Sequence, residues 1–334
     1  MKCSLKIGER AKIVSLLASY CVVLIHTVRH PWRLDAAIMT QWAVPWFLFL
    51  SGVFFRVALD KYDMVHIIKD RSKKLLWPYI IFGLFVKIVT APPPPEVNDS
   101  INNIFGLMSA SPAYNQPLWF LKSLYICSIV CLGSFKLFGK LQPSIIKNFL
   151  CVGTYLVLVS GLVIYTDVLS MPASPFYFMI GVCCSQAFLK RDATPNIGIA
   201  IYVAVGLIVS SFVIRYVWDP SCIMFSAYSG QMRVVRNITN VTMICAVWIL
   251  SGILPAKPWT VKLLNMTPAS LLIYLCHFPL LQIVKRFACF DKVYSSTVGS
   301  CIVSLVMTLA IICVWRLLRR YAPRYLAIVQ GGRA

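Results

Sequence analysis

Residues 11 to 28 read AKIVSLLASYCVVLIHTV, an apolar run that carries a histidine, His26, near its end. A bilayer core about 30 Å thick needs roughly 20 apolar residues per helical span, so this run predicts a membrane-spanning helix. An imidazole in hydrocarbon is costly, which makes His26 a functional candidate by default. The alternative is a structural histidine that is hydrogen-bonded between helices, and the residues alone leave both interpretations open.

Similar apolar runs recur along all 334 residues, of which 59% are apolar and only 13% are charged. This composition excludes an ordinary soluble domain. The runs are continuous and do not alternate, which favours helices over the strands of a barrel. We therefore predict an all-α polytopic membrane helical bundle with about ten transmembrane helices in a single domain over residues 1–334, with no appended soluble domain. The runs lie near residues 11–28, 37–55, 75–91, 116–135, 148–165, 174–189, 196–214, 237–254, 267–284 and 294–315.

The formal charge of +21 arises from 32 Lys and Arg against 11 Asp and Glu. In a soluble protein this excess would indicate nucleic acid as a partner. Here the positions of the cations explain it better, because about two thirds of them fall in alternate segments between the apolar runs. The positive-inside rule then predicts that both termini are cytoplasmic, with membrane lipid and no nucleic acid as a partner.

The carboxylates all fall in the predicted loops or near the helix ends. Ion-coupled transporters usually relay protons through Asp, Glu or His inside the bundle, so this class loses weight. A general base within the membrane would be a histidine, whose ordinary pKa of about 6.5 suits proton transfer at neutral pH. The 13 cysteines have no recurrent ligand spacing with histidine, apart from Cys276 beside His277, and we predict no metal site.

One polar stripe follows helical spacing through the first run, from Lys12 through Ser15, Ser19 and Val22 to His26. Because buried polar groups need partners, the stripe should face the bundle interior or a water-filled cavity. A second imidazole, that of His277, lies in the run at 267–284. In the second run, Ser51-Gly52 predicts close helix packing.

A basic cluster precedes the third run, where residues 71 to 79 read RSKKLLWPY. Arg71, Lys73 and Lys74 are typical of juxtamembrane cations beside anionic lipid, which set the topology. The same three cations at a helix entrance also suit the phosphates of a cofactor such as coenzyme A. Both interpretations stay open at this point.

Five stretches together resemble acyltransferase family 3, the integral-membrane acyltransferases that acylate bacterial surface glycans. They are CVVLIHT at 21–27, FLFLSGVF at 47–54, RSKKLLWPY at 71–79, PLWFL at 117–121 and SLLIYLCH at 270–277. Their order and spacing carry the resemblance over residues 10 to 285. The short chain is similar to the enterobacterial-common-antigen O-acetyltransferase type.

The resemblance implies a multi-pass enzyme of the bacterial inner membrane that transfers an acetyl group from acetyl-CoA. The acceptor would be a hydroxyl of a cell-surface glycan or its lipid-linked precursor. A polysaccharide exporter or flippase without acyl-transfer activity is the alternative, although it would need a wide polar path.

His26 matches the catalytic histidine of the family and is expected to act as the general base. The family usually has an arginine eleven residues earlier, where this chain has Ser15, and Lys12 or Arg10 is the candidate replacement. Asp35, from the following loop, could orient an imidazole. The expected supporting residues are Ser15, Ser19, Asp35, Trp119 and His277, and the expected cofactor-binding residues are Lys12, Arg71, Lys73 and Lys74.

Overall fold

The computed structural model describes residues 5–28, 39–90, 116–138, 145–165, 174–190, 196–218, 230–285 and 296–332. This part of the chain is helical almost throughout and contains no β-strand. Each of the ten predicted runs overlaps a helix of the described part. The helices are α1 (Ile7–Thr27), α2 (Ala43–Lys61), α3 (Met64–Arg71), α4 (Trp77–Thr90), α5 (Trp119–Leu137), α6 (Ile145–Tyr165), α7 (Ser174–Lys190), α8 (Ile197–Trp218), α9 (Gly230–Ser251), α10 (Pro258–Leu264), α11 (Ser270–Val284), α12 (Thr297–Tyr321) and α13 (Pro323–Val329).

Six helical segments in the described part are long and apolar enough to cross a membrane. They are Ala43–Lys61, Trp119–Leu137, Ile197–Val217, Val234–Ser251, Pro258–Val284 and Thr297–Tyr321. The predicted class, a helical membrane bundle, is therefore confirmed. That ten helices cross the membrane, and that both termini are cytoplasmic, stay predictions.

The chain forms two compact units, of which the first comprises Met1–Phe47 and Leu189–Arg316. Within it α8 packs side by side with α9, and α1 packs along α11 and α9. A hydrogen bond of 2.9 Å between the hydroxyls of Ser211 and Thr242 joins α8 to α9. This unit holds both histidines of the predicted site.

The second unit comprises Leu48–Phe188 and Leu317–Ala334, and small residues bring two of its helices into close contact. A Cβ on Gly52 of α2 would overlap the carbonyl oxygen of Phe178, and a Cβ on Gly181 of α7 would overlap that of Phe49. Ser185 of α7 also donates a hydrogen bond of 2.9 Å to a backbone carbonyl of α2. The close packing predicted at Ser51-Gly52 is thus confirmed, and this unit carries the basic cluster.

Candidate functional site

His26 occupies the last turn of α1 and is half-buried. Its ring lies against α11, with 5.3 Å between its centroid and that of His277 and 37° between the two planes. The ring of Phe278 packs nearly perpendicular to the same imidazole, with 5.6 Å between the centroids and 78° between the planes. The histidines of two separate apolar runs, His26 and His277, are therefore neighbours.

His277 is fully buried, and the backbone of its own helix fixes its ring. Its Nδ1 lies 3.1 Å from the carbonyl oxygen of Ile273 and 2.8 Å from that of Tyr274. A carbonyl oxygen can only accept a hydrogen bond, so Nδ1 must carry the proton. The neutral ring then presents an unprotonated Nε2, and this buried atom has no hydrogen-bond partner among the described residues.

The end of α1 that bears His26 is fastened to α12 through Thr27. The Thr27 hydroxyl lies 2.6 Å from that of Ser304, and Ser300 donates a hydrogen bond of 3.3 Å to the Thr27 carbonyl. All three side chains are buried. Since Thr27 adjoins His26 in sequence, these bonds limit the movement of the backbone that carries the imidazole.

The serines of the polar stripe point into the first unit. Ser15 donates to the carbonyl of Ala11 at 2.8 Å and accepts a hydrogen bond of 3.1 Å from the indole N–H of Trp46. Ser19 is fully buried and donates to the carbonyl of Ser15 at 2.9 Å. Both hydroxyls are satisfied within the unit, so their geometry supports a packing role for the stripe as far as Ser19.

Arg10 and Lys12, the two candidates for a cation near Ser15, differ in environment. Lys12 is exposed, whereas Arg10 is only 8% exposed. The Arg10 guanidinium lies 4.2 Å from the ring centroid of Trp248 and donates to the carbonyl of that residue at 2.9 Å. It also donates to the hydroxyl of Ser251 at 3.3 Å. Arg10, which sequence reasoning named only as an alternative, is thus the buried cation of α1.

The basic cluster of the second unit lies on a widened helical turn. Residues Ser72–Leu76 form a π-helical turn between α3 and α4, in which the N–H of Trp77 bonds to the carbonyl of Ser72. Pro78 follows, and because it has no N–H and its ring crowds the carbonyl four residues earlier, regular α-helical bonding fails here. Such turns occur frequently at functional sites.

The three cations of the cluster are held differently. Arg71 donates to the hydroxyl of Ser51 at 3.1 Å and lies 5.0 Å from the ring centroid of Phe55. Lys74 forms an ion pair of 2.6 Å with Asp70 one turn earlier. Lys73 is exposed. Arg71 is therefore oriented by its surroundings, while part of the charge of Lys74 is already balanced.

A C-terminal turn, Gln330–Gly332, covers the backbone of Lys73. Gly331 and Gly332 adopt positive φ angles of 64° and 85°. The N–H of Gly332 bonds to the carbonyl of Ala327 at 2.6 Å, which closes α13 in the manner of a glycine-based helix cap. Sequence reasoning missed this element, although two glycines one residue after an apolar segment are a helix stop signal.

The remaining predicted residues are placed as follows. Trp119 begins α5 in the second unit, is partly buried and packs perpendicular to Phe120. Asp35 lies outside the described residues. Within the described ranges, no group of three or more His, Cys, Asp or Glu residues could hold a metal ion.

No curated protein and no solved structure matches the chain significantly. The family model of the acyltransferase domain, acyltransferase family 3, matches residues 16–317, so it begins just after Ser15 and ends before α13. This match covers most of the 334 residues, and the chain therefore belongs to acyltransferase family 3 and is a membrane acyltransferase.

Proposed function

We propose that this acyltransferase transfers an acetyl group from acetyl-CoA to a hydroxyl of a cell-surface glycan or its lipid-linked precursor at the bacterial inner membrane. The observation that carries the proposal is the half-buried imidazole of His26 against the buried ring of His277 in a chain of this family. His26 is accessible enough to meet a substrate and close enough to a polar partner to be oriented.

His26 is the general base of the proposed reaction. It removes the proton of the acceptor hydroxyl, whose oxygen attacks the carbonyl carbon of the thioester. The carbon–sulfur bond then breaks, and the sulfur of coenzyme A leaves with the proton that the imidazolium returns. The products are an acetyl ester and free coenzyme A.

The donor phosphates are assigned to the basic cluster of the second unit. Arg71 offers a guanidinium oriented by Ser51, and Lys73 offers an exposed ammonium on the π-helical turn. An arginine fork matches two phosphate oxygens at once, and a lysine adds a point charge. Lys74, paired with Asp70, contributes less. The exposed Lys12 remains a candidate cation for the donor.

Mass spectrometry of surface glycans from cells with and without the gene tests the proposal and identifies both acyl group and acceptor. A base contributes about 10²-fold to 10⁴-fold in rate, so His26→Ala should nearly abolish acetylation. His66→Ala is the matched control, because this exposed imidazole stacks only on Tyr62 among the aromatic rings of the described part. Full acetylation with His26→Ala would remove the base assignment. Loss of the glycan itself, with normal acetylation of what remains, would point to the exporter alternative.

A further inference from the structure

We propose that His277 is a positioning residue for His26, accepting a hydrogen bond at Nε2 and thereby fixing the tautomer in which the other nitrogen of His26 takes up the proton of the acceptor. This inference rests on the proposed function, because it gives the base a partner. His277 itself does not contact the acceptor in the proposed reaction.

The tautomer of His277 supports this role. Two backbone carbonyls hold its Nδ1–H, at 3.1 Å from Ile273 and 2.8 Å from Tyr274. A ring held in this way keeps one protonation pattern and one orientation, as imidazoles do when a backbone carbonyl fixes one nitrogen. Nε2 is therefore a fixed acceptor, buried and without a hydrogen-bond partner among the described residues.

The position of His26 makes it the natural donor. With ring centroids 5.3 Å apart, nitrogen atoms on facing edges can approach within about 3 Å, which is hydrogen-bond distance. His26 is half-buried and ends its helix, whereas His277 is locked, so a small rotation of the His26 ring forms the bond. Catalytic hydrogen bonds are often loose before substrate binds and tighten in the complex.

A neutral acceptor also suits this environment. In hydrolytic triads a buried carboxylate selects the tautomer of the histidine. In the described part of the chain the acidic residues lie near helix ends, where ionised carboxylates avoid the cost of burial in hydrocarbon; they are Glu9, Asp60, Asp63 and Asp70. An uncharged imidazole supplies the same acceptor geometry without that cost.

The chemistry of the pair is simple. When His26 takes the proton of the hydroxyl at one nitrogen, its other N–H donates to Nε2 of His277, and no proton leaves the pair. His277 stays neutral throughout, because its Nδ1–H remains bound to the two carbonyls. Protonation of His26 thus strengthens the hydrogen bond that its rotated ring forms with Nε2 of His277, which is the condition for stabilising the transition state.

Two substitutions separate positioning from packing. His277→Phe keeps a ring but removes the acceptor, and His277→Gln places a neutral amide near the position of Nε2. Acetyl transfer is measured from radiolabelled acetyl-CoA into the glycan of isolated membranes that contain each variant. We expect His277→Phe to lower kcat about 10²-fold with the donor KM unchanged, and His277→Gln to recover at least tenfold of that loss. His66→Phe makes the same substitution at an exposed histidine of the second unit, is the control, and should change kcat less than fivefold.

A double variant guards against a folding defect. If His277 acts through His26, adding His277→Phe to His26→Ala should cause no further loss of residual activity, because groups that act as a unit are not additive. A further tenfold loss, equal damage from Gln and Phe, or a fully active His277→Phe would overturn the positioning role. If instead His26→Ala itself is fully active, the base assignment fails first, which distinguishes the two failures.

Discussion

Gly331 lies so close to Lys73 that a Cβ atom on the glycine would overlap the carbonyl oxygen of the lysine. The contact joins the C-terminal turn, beyond the family match, to the π-helical turn of the basic cluster. Gly332 touches the Lys73 side chain as well, since a Cβ there would lie 3.0 Å from its ammonium nitrogen. The turn therefore constrains both the backbone and the charge of Lys73.

Gly331→Ala should raise the KM for acetyl-CoA and lower the thermal stability of the solubilised protein. A left-handed conformation costs a non-glycine residue roughly 1–2 kcal/mol, and the overlap with Lys73 forces the turn away in addition. Donor kinetics and a thermal unfolding curve measure the two effects. Gly133→Ala, where a Cβ meets nothing within 4 Å, is the control. If Gly331→Ala destabilises the protein but leaves the KM for acetyl-CoA unchanged, the C-terminal turn does not contribute to donor binding.

Arg71→Gln is expected to raise the KM for acetyl-CoA about tenfold or more, because it removes the oriented guanidinium from the proposed phosphate site. Arg71→Lys should recover little, since an ammonium lacks the planar fork. Lys74→Gln should act more weakly, because Lys74 is paired with Asp70. Lys136→Gln removes another exposed cation at the end of α5 and controls for net charge. If wild type and Arg71→Gln have equal KM values for acetyl-CoA, the basic cluster does not bind the donor and only sets the membrane topology.

Gly52→Ala and Gly181→Ala should each destabilise the second unit, even though alanine has a higher helix propensity than glycine. Alanine in place of glycine gains about 1 kcal/mol within a helix. At these two positions its Cβ would overlap a backbone carbonyl of the facing helix, which cannot move as a side chain does. Unfolding in detergent measures the change. Gly153→Ala on α6 meets nothing within 4 Å and should be neutral or stabilising, so equal behaviour of all three variants would contradict the close crossing.

The helices could be predicted from the sequence because apolar runs in a bilayer must satisfy their backbone groups internally. Their ends could not be predicted as well. The apolar run was predicted to end at residue 55, but helix α2 continues to Lys61 and includes the charged residues Arg56 and Asp60. Helical hydrogen bonding does not stop where hydropathy falls. Arg56 and Asp60 even form an ion pair of 3.4 Å across one turn.

His26 and His277 could be predicted as site residues, because ionisable side chains are rare inside apolar runs and few residue types other than histidine can act as a base there. The approach of His26 to His277 is a tertiary contact that helical spacing alone does not specify. Helical spacing predicted that Lys12 lies on the polar stripe with Ser15. It did not predict that Arg10 is buried, although Arg10 is four residues before the buried Val14 and lies on the same face of α1. The position of Arg10 on the apolar face of α1 was the feature of the sequence that could have indicated its burial.

Arg10→Gln should lower both stability and activity, whereas Lys12→Gln should change stability by less than about 0.5 kcal/mol, as surface substitutions usually do. Arg10 is buried, stacks on Trp248 and donates to Ser251, and losing a buried charged hydrogen bond costs about 1.5–3 kcal/mol. Thermal unfolding and acetyl transfer in membranes measure the two effects. Adding Ser15→Arg to Arg10→Gln then tests whether a cation at position 15 of the same helix restores acetyl transfer. Recovery of transfer without recovery of stability would assign the charge to the reaction, and recovery of neither would make Arg10 a packing residue.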